Sequence, residues 1–169
     1  VAIGMKTVEE AVSVRNWVLE RIEVASVLDD PDARRRALTV VVVGGGFAGV
    51  ETISELEDMA REAVNRNDRL SVSDLRFVMI EAAPRIMPEV PEDRAEKVVA
   101  ELRSRGIEVL LNTSLSDATD GHLQLINMTD KSPAGEMDTD TLIWTAGVAA
   151  SPMLKNTDFP IDERGRVRV

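Results

Sequence analysis

The chain has 169 residues with 20 Lys or Arg against 30 Asp or Glu, a formal charge of −10, and no cysteine. That length suits one two-sided α/β core. The acidic balance argues against nucleic acid and anionic membranes as direct partners, and the missing thiols exclude disulfides, thiolate metal sites and a dithiol redox centre. The longest nearly unbroken apolar run, Leu38 to Val50, is too short for a bilayer and is interrupted by glycines, so no transmembrane segment is expected. The opening VAIGMKTVEEA lacks a basic region followed by an apolar one. No signal peptide and a cytoplasmic location are therefore expected. An opening without methionine that runs quickly into a helix suggests a segment of a longer protein.

Thr7 and Glu10 form a T-x-x-E capping box ahead of a helix from about Val8 to Val27. Val8, Ala11, Val12, Arg15, Leu19, Ile22 and Ala25 fall near one face of it, and Leu28-Asp-Asp-Pro31 ends it. Arg34, Arg35 and Arg36 then form a basic cluster, read either as an anion contact or as a solvated helix end.

Leu38 to Val43 is almost wholly apolar and mostly β-branched, the composition of a strand buried on both faces of a parallel sheet. Gly44, Gly46 and Gly49 follow at G-x-G-x-x-G spacing, and an apolar stripe (Val50, Ile53, Leu56, Met59 or Ala60, Ala63 or Val64) continues as a helix to about Asn65. Strand, glycine turn and helix in that order are the setting of a dinucleotide-binding fingerprint. Gly44 permits the turn, Gly46 lets a pyrophosphate approach the backbone, and Gly49 lets the helix settle on the sheet. The helix N-terminus then faces the phosphates. Read without a ligand, the same residues are a glycine-rich turn kept for packing.

The second strand, Leu75 to Ile80, ends at Glu81. An acid at that strand tip can accept both hydroxyls of an adenosine ribose and repels a 2′-phosphate, favouring NADH over NADPH. Arg85, four residues on, is a cation that could instead receive a phosphate. Pro84, Pro88 and Pro91 frame a loop before a helix from about Glu92 to Arg105, with Ala95, Val98, Val99 and Leu102 inward. Asp93–Lys97 and Glu101–Arg105 are expected as i, i+4 ion pairs on that helix, Gly106 as its cap, and Ile107 to Leu111 as a third parallel strand. From Leu115 short alternating pieces with turn residues between them suggest an antiparallel meander that ends in strand Thr141 to Trp144. His122, the lone histidine, sits beside the Asp120-Gly121 turn and is assigned no function. Thr145-Ala146-Gly147 makes a small-residue turn where backbone can approach a ligand. The fold expected is α/β: a Rossmann-like three-layer parallel sheet (βαβαβ) with an appended antiparallel β-meander and an extra N-terminal helix.

In combination, MKTVEEAVSVRNWVLERIEVAS, VVVVGGGFAGVETISELEDMA, FVMIEAAPRIMPEVP, RGIEVLLNTSL and DTLIWTAGVAASPML with DERGRVRV cover nearly the whole chain. Together they resemble the NADH-binding domain of type II NADH dehydrogenases, flavin-dependent members of the pyridine nucleotide-disulfide oxidoreductase superfamily. The resemblance implies a cofactor-binding set of Gly44, Gly45, Gly46, Phe47, Ala48, Gly49, Glu81, Ala146 and Gly147. The glycine turn would hold the NADH pyrophosphate, Glu81 the ribose, and Gly147 would lie near the nicotinamide. It places Glu51, the acid of the family's G-x-E, toward the flavin edge as the catalytic-site candidate; as a bare residue Glu51 is a first-turn acid favoured by the helix dipole. It further implies residues 1–37 as the end of an FAD-domain region, 38–150 as the NADH domain, and 151–169 as a return toward an FAD domain outside this chain. The parent would pass a hydride from NADH to FAD and electrons to a quinone, as a peripheral enzyme on the cytoplasmic membrane face. This segment alone is expected to be inactive and to bind no FAD. Three other readings remain open: a related reductase whose acceptor is a ferredoxin or a disulfide, GGGFAG as an FAD fingerprint, or a non-catalytic nucleotide-binding module.

Overall fold

The computed structural model describes residues 2–147, 152–163 and 165–168. A two-residue strand β1 (Ile3–Gly4) leads into helix α1 (Val8–Val27), a short helix α2 (Pro31–Ala37), strand β2 (Thr39–Val43) and helix α3 (Phe47–Asn65). Strand β3 (Arg76–Ile80), helix α4 (Glu92–Ser104) and strand β4 (Glu108–Leu110) follow. The chain then forms β5 (Thr113–Thr119), β6 (His122–Asn127), β7 (Pro133–Asp138) and β8 (Thr141–Trp144). Five strands make a parallel sheet in the order β1-β8-β2-β3-β4, and β5-β6-β7 make a separate antiparallel sheet.

The unbroken valine run of β2 is explained by its two neighbouring layers. Val40 and Val42 point into the helical layer with Ile53, Ala60 and Ile22, while Val41 and Val43 point the other way onto Leu123, Leu125 and Met137 of the antiparallel sheet. Side chains alternate across a strand, so only covering both faces makes every position apolar. The result is the expected three-layer α/β arrangement.

Several expectations meet corrections. The capping box of α1 forms, with Glu10 N–H donating to Thr7 Oγ1 (3.1 Å) and Thr7 N–H to Glu10 Oε2 (3.0 Å). Its buried face, however, is Val14, Val18, Ile22 and Ala25, whereas Val8 is 76% exposed, Val12 40%, and Arg15 also faces out. Apolar residues surround this helix, so two stripes fit its sequence, and the i, i+4 row that packs on α3 is the one buried. Strand β8 is not the last strand of the meander. It lies parallel between β1 and β2, with Val43 opposite Trp144 and Gly4 opposite Trp144 on its other side. The buried Thr139 hydroxyl sets its start by donating to Thr39 O (2.6 Å) while accepting Thr141 N–H (2.9 Å). Strand β1 itself is too short for any periodicity to announce it.

The arginine cluster is a helix end. All three lie in the last turn of α2, where the helix dipole favours cations. Arg36 also donates to Asp140 Oδ1 and to Asp120 O, both at 2.6 Å, tying α2 to the meander's hairpin turn. Helix α4 ends in a Schellman motif, with Ile107 N–H bonding Leu102 O and Gly106 N–H bonding Arg103 O, both 3.0 Å. Neither expected ion pair on α4 forms. Arg105 instead reaches α3, where it donates to Glu57 Oε2 (2.5 Å), pairs with Asp58 and meets Ser54 O. Glu57 is buried to 4% side-chain exposure and is also held by Arg61. Beyond β8 a 3₁₀ turn (Pro152–Asn156) and an Ile161–Val167 bridge are described. The 150/151 division lies outside the described residues. Among those residues no helix is long and apolar enough to cross a membrane.

Candidate functional site

The carboxyl ends of β2, β3 and β8 meet at one rim of the parallel sheet, where ligands of open α/β sheets bind. β2 leaves the sheet at Gly44, whose φ of +111° suits only a residue without Cβ. Gly44 N–H still bonds Ile80 O (2.9 Å), so the turn begins in register with β3. Thr145, just after β8, closes the other side. Its N–H and hydroxyl both donate to Val43 O at 2.9 Å, which presses Ala146 against Gly44.

The three motif glycines prove to be in different surroundings. A Cβ on Gly49 would lie 1.8 Å from Gly44 O, so the close seat of α3 on the turn needs a bare Cα. A Cβ on Gly46 would meet nothing within 4 Å. Gly46 is also the N-cap of α3 without any side-chain cap, and the N–H groups of Gly46, Phe47 and Ala48 take no acceptor from the described residues. Main-chain donors left open at the positive end of a 19-residue helix are the kind of group that can receive an anion.

Glu81 stands beside this turn. Its Oε2 accepts Gly45 N–H at 2.6 Å and its Oε1 accepts Ala83 N–H at 2.7 Å. The carboxylate thus sits on the same rim as the glycine bend, 36 residues away in sequence. Gly46 and the Glu81 carboxylate are therefore neighbours, the placement expected of a diphosphate position beside a sugar position. Arg85 does not point a free cation at that sugar: its guanidinium donates to Val90 O (3.0 Å) and Pro88 O (2.7 Å) of its own loop.

Gly147 is exposed, as are Phe47 and Ala48, and Trp144 is half-exposed with its indole N–H on Ala146 O (2.8 Å). Glu51 is exposed too; it is the fifth residue of α3 and so lies past the first turn rather than in it, and it opens onto a different recess. This is a groove of about 490 Å³ between α1 and α3, walled by Met5, Ala11 and Val14 on one side and Ala48, Thr52 and Leu56 on the other. Sequence reasoning missed Ile86, Met87 and the Thr145 hydroxyl as parts of the turn's framework. Only the three prolines around the first two hinted that this loop is specially shaped.

His122 lies far down the meander and is not without partners. Its Nδ1 is 2.9 Å from Asp138 Oδ1 and its Nε2 3.4 Å from Glu136 Oε2. The hydrogen bond to Asp138 and the charges of both acids raise its pKa above the ordinary 6.5. Among the described residues no cluster of three or more His, Cys, Asp or Glu could hold a metal ion.

The fold is an α/β unit of the Rossmann type. The chain belongs to the family described as pyridine nucleotide-disulphide oxidoreductase, whose model matches residues 7–169. Its similarity to type II NADH:quinone oxidoreductases runs over nearly its whole length. It is 34% identical over 99% of its residues to the type II NADH:quinone oxidoreductase NdhA of Mycobacterium tuberculosis, of which it covers 37%. It is 29% identical over 98% of its residues to a probable NADH dehydrogenase of Dictyostelium discoideum, of which it covers 36%. The chain therefore spans about a third of the length of these relatives. Among solved structures it is similar in fold to NDH2 of Plasmodium falciparum in complex with NADH, with a TM-score of 0.85, 20% identity, and 97% of this chain on 34% of that one.

Proposed function

We propose that this chain is the NADH-binding domain of an FAD-dependent NADH:quinone oxidoreductase of type II, with residues 38–150 as the binding unit. In this reading residues 1–37 and 151–169 connect it to an FAD domain elsewhere in a longer protein. The observation that carries it is the pairing of an open, main-chain-lined helix N-terminus at Gly46 with a carboxylate at Glu81 hydrogen-bonded to the same turn. That donor set fits a dinucleotide: N–H groups for the diphosphate, an acid for the ribose hydroxyls.

Gly44 to Gly49 hold the diphosphate, Glu81 takes the adenosine ribose, and Ala146 and Gly147 border the nicotinamide end. Bound NADH supplies a hydride, and the flavin that receives it is held by parts of the longer protein. What the chain's own residues do is bind and orient, which converts an encounter into a near-unimolecular transfer. Glu51, on the α1-facing side of α3, would meet the flavin side of the assembly. Quinone as electron acceptor and a peripheral position on the cytoplasmic membrane face follow from the same reading.

Titration of the chain with NADH, NADPH and FAD tests it. Saturable binding with NADH preferred is expected, and Glu81→Ala should weaken NADH by about 10- to 100-fold, the worth of one or two charge-assisted hydrogen bonds. The same substitution should leave NADPH binding unchanged or somewhat tighter, because removing the carboxylate also removes its repulsion of the 2′-phosphate, so the preference for NADH narrows or is lost. FAD bound in preference to NADH, or a folded chain whose NADH affinity ignores Glu81→Ala, overturns the proposal.

A further inference from the structure

We propose that Arg85 is a positioning residue for the dinucleotide turn: its guanidinium locks the loop after β3 so that this loop clamps Gly45. The inference rests on the NADH-domain reading for its consequence and on the geometry of the loop for its cause.

The loop from Ala82 to Pro91 contains three prolines and so lacks three N–H groups with which it could hold its own shape. Arg85 supplies the missing donors from its side chain. Its Nη1 binds Val90 O at 3.0 Å and its Nη2 binds Pro88 O at 2.7 Å, fixing the return of the chain toward α4. A rigid planar fork suits two carbonyls better than a single ammonium does. Between these anchors Met87 is held at a φ of +47°, a left-handed conformation that a residue with a Cβ keeps only when its surroundings impose it.

That conformation aims Met87 N–H at Gly45 O, 2.8 Å away. The neighbouring Ile86 is wholly buried and sits so close to Gly45 that a Cβ there would lie 2.6 Å from Ile86 Cγ2. Glu81 holds the opposite side by accepting Gly45 N–H. One segment, 81–87, thus grips both the N–H and the C=O of the residue that precedes the open donor at Gly46. Moving Met87 would let Gly45 rotate and would spoil the alignment of the next N–H groups with a phosphate, where small displacements are costly.

The same contacts withdraw Arg85 from any ribose 2′-phosphate. Discrimination against NADPH then falls to Glu81, and Arg85 should affect both nucleotides alike. This differs from a phosphate-binding arginine, which would affect NADPH alone.

The test compares Arg85→Met and Arg85→Lys with the unaltered chain, using NADH and NADPH titration and amide hydrogen exchange. Arg85→Met should weaken both nucleotides by about tenfold with their ratio unchanged, the scale of losing one well-aligned charged hydrogen bond. The Gly45 and Met87 amides should exchange about tenfold faster, while those of β2 and α4 stay as they were. Arg85→Lys, which can keep one carbonyl, should fall between. A loss confined to NADPH identifies a phosphate contact and overturns the proposal. Unchanged affinities and exchange rates also overturn it, as does uniform acceleration of all amides, which marks a role in global stability only. A folded chain that binds neither nucleotide removes the NADH-domain reading instead, and the exchange rates of Gly45 and Met87, which need no nucleotide, still decide the clamp.

Discussion

Gly46→Ala and Gly49→Ala separate the two tasks of the glycine turn, since the same added methyl group meets opposite surroundings. At Gly49 the new Cβ would sit 1.8 Å from Gly44 O and 2.9 Å from Thr145 Oγ1. That is about 1.5 Å inside an ordinary C···O approach of roughly 3.3 Å. Neither obstacle can swing away: one is backbone fixed to β3, the other a hydroxyl bound to Val43 O. Relief requires lifting α3 from the sheet, which loosens the buried Ile53 and Leu56. Alanine gains about 0.5–1 kcal/mol over glycine in a helix, against an overpacking cost of about 3 kcal/mol or more where backbone must move. The net is a loss of roughly 2–3 kcal/mol, which for a chain of this size lowers Tm by about 5–10 °C. At Gly46 the methyl group enters open space with φ of −73°, comfortable for alanine. The entropy gained in the unfolded chain (about 0.4–1 kcal/mol) and the weaker N-cap (roughly the same size) nearly cancel. Tm should stay within about 2 °C, yet NADH binding should fall at least about tenfold as the methyl group takes the phosphate's place. Thermal melts by circular dichroism and NADH titration of both variants measure this. A Gly49→Ala chain melting with the unaltered one refutes the packing argument, and a Gly46→Ala chain binding NADH normally refutes the placement of the diphosphate.

Two further outcomes follow from polar contacts. Arg105→Met leaves the buried Glu57 with Arg61 as its remaining charge partner; stability should drop by about 2–4 kcal/mol in urea unfolding, whereas a loss below about 0.5 kcal/mol would place the pair among ordinary surface contacts. For His122, the folded-state pKa lies above the unfolded 6.5, because Asp138 and Glu136 favour the imidazolium. Its contribution is therefore complete below pH 6.5 and lost as the pH rises through the raised value. The unaltered chain should lose a little stability across that window and His122→Asn should not, as read by Tm at pH 6 and pH 8.

The parts of the fold legible in the sequence are those written in local pattern. β2, the glycine turn, α3 and β3 ending at Glu81 follow one another at spacings that strand and helix geometry dictate, and the capping box at Thr7 needs four residues only. Pairing partners are another matter. Thr141 to Trp144 reads as a strand in either sheet, and what places it between β1 and β2 is a hydroxyl at Thr139 meeting a carbonyl 100 residues away. Arg105 shows the same limit. Its i, i+4 partner Glu101 was the local choice, but a buried carboxylate 48 residues distant desolvates less expensively when a cation joins it, so the long-range pair forms. On α1 the failure has a different origin: with Val8 and Val12 as apolar as Val14 and Val18, composition cannot say which stripe finds α3.

The candidate site was legible to the same degree and for the same reason. In the proposed reading a dinucleotide seat is built from main chain, and main chain that must lie bare is spelled with glycine, so Gly44, Gly46 and Gly49 are the residues that point to it. The framework that holds the seat is invisible to such reading, because Met87 N–H on Gly45 O is a backbone bond that any residue at 87 could make once its φ is imposed. The make-up of the rim also bears on what it can do. Its described polar groups are N–H donors, one carboxylate already hydrogen-bonded to two of them, and a threonine hydroxyl turned onto carbonyls. None of these is placed to move a proton at a nicotinamide, and hydride transfer asks for none. Such a rim holds and orients, so rate in the proposed assembly depends on how firmly Gly45 and its neighbours keep their direction rather than on any side-chain acid or base. That is why a loop arginine remote from the chemistry, and not a residue touching it, is the position where orientation can be loosened without altering the nucleotide's own contacts.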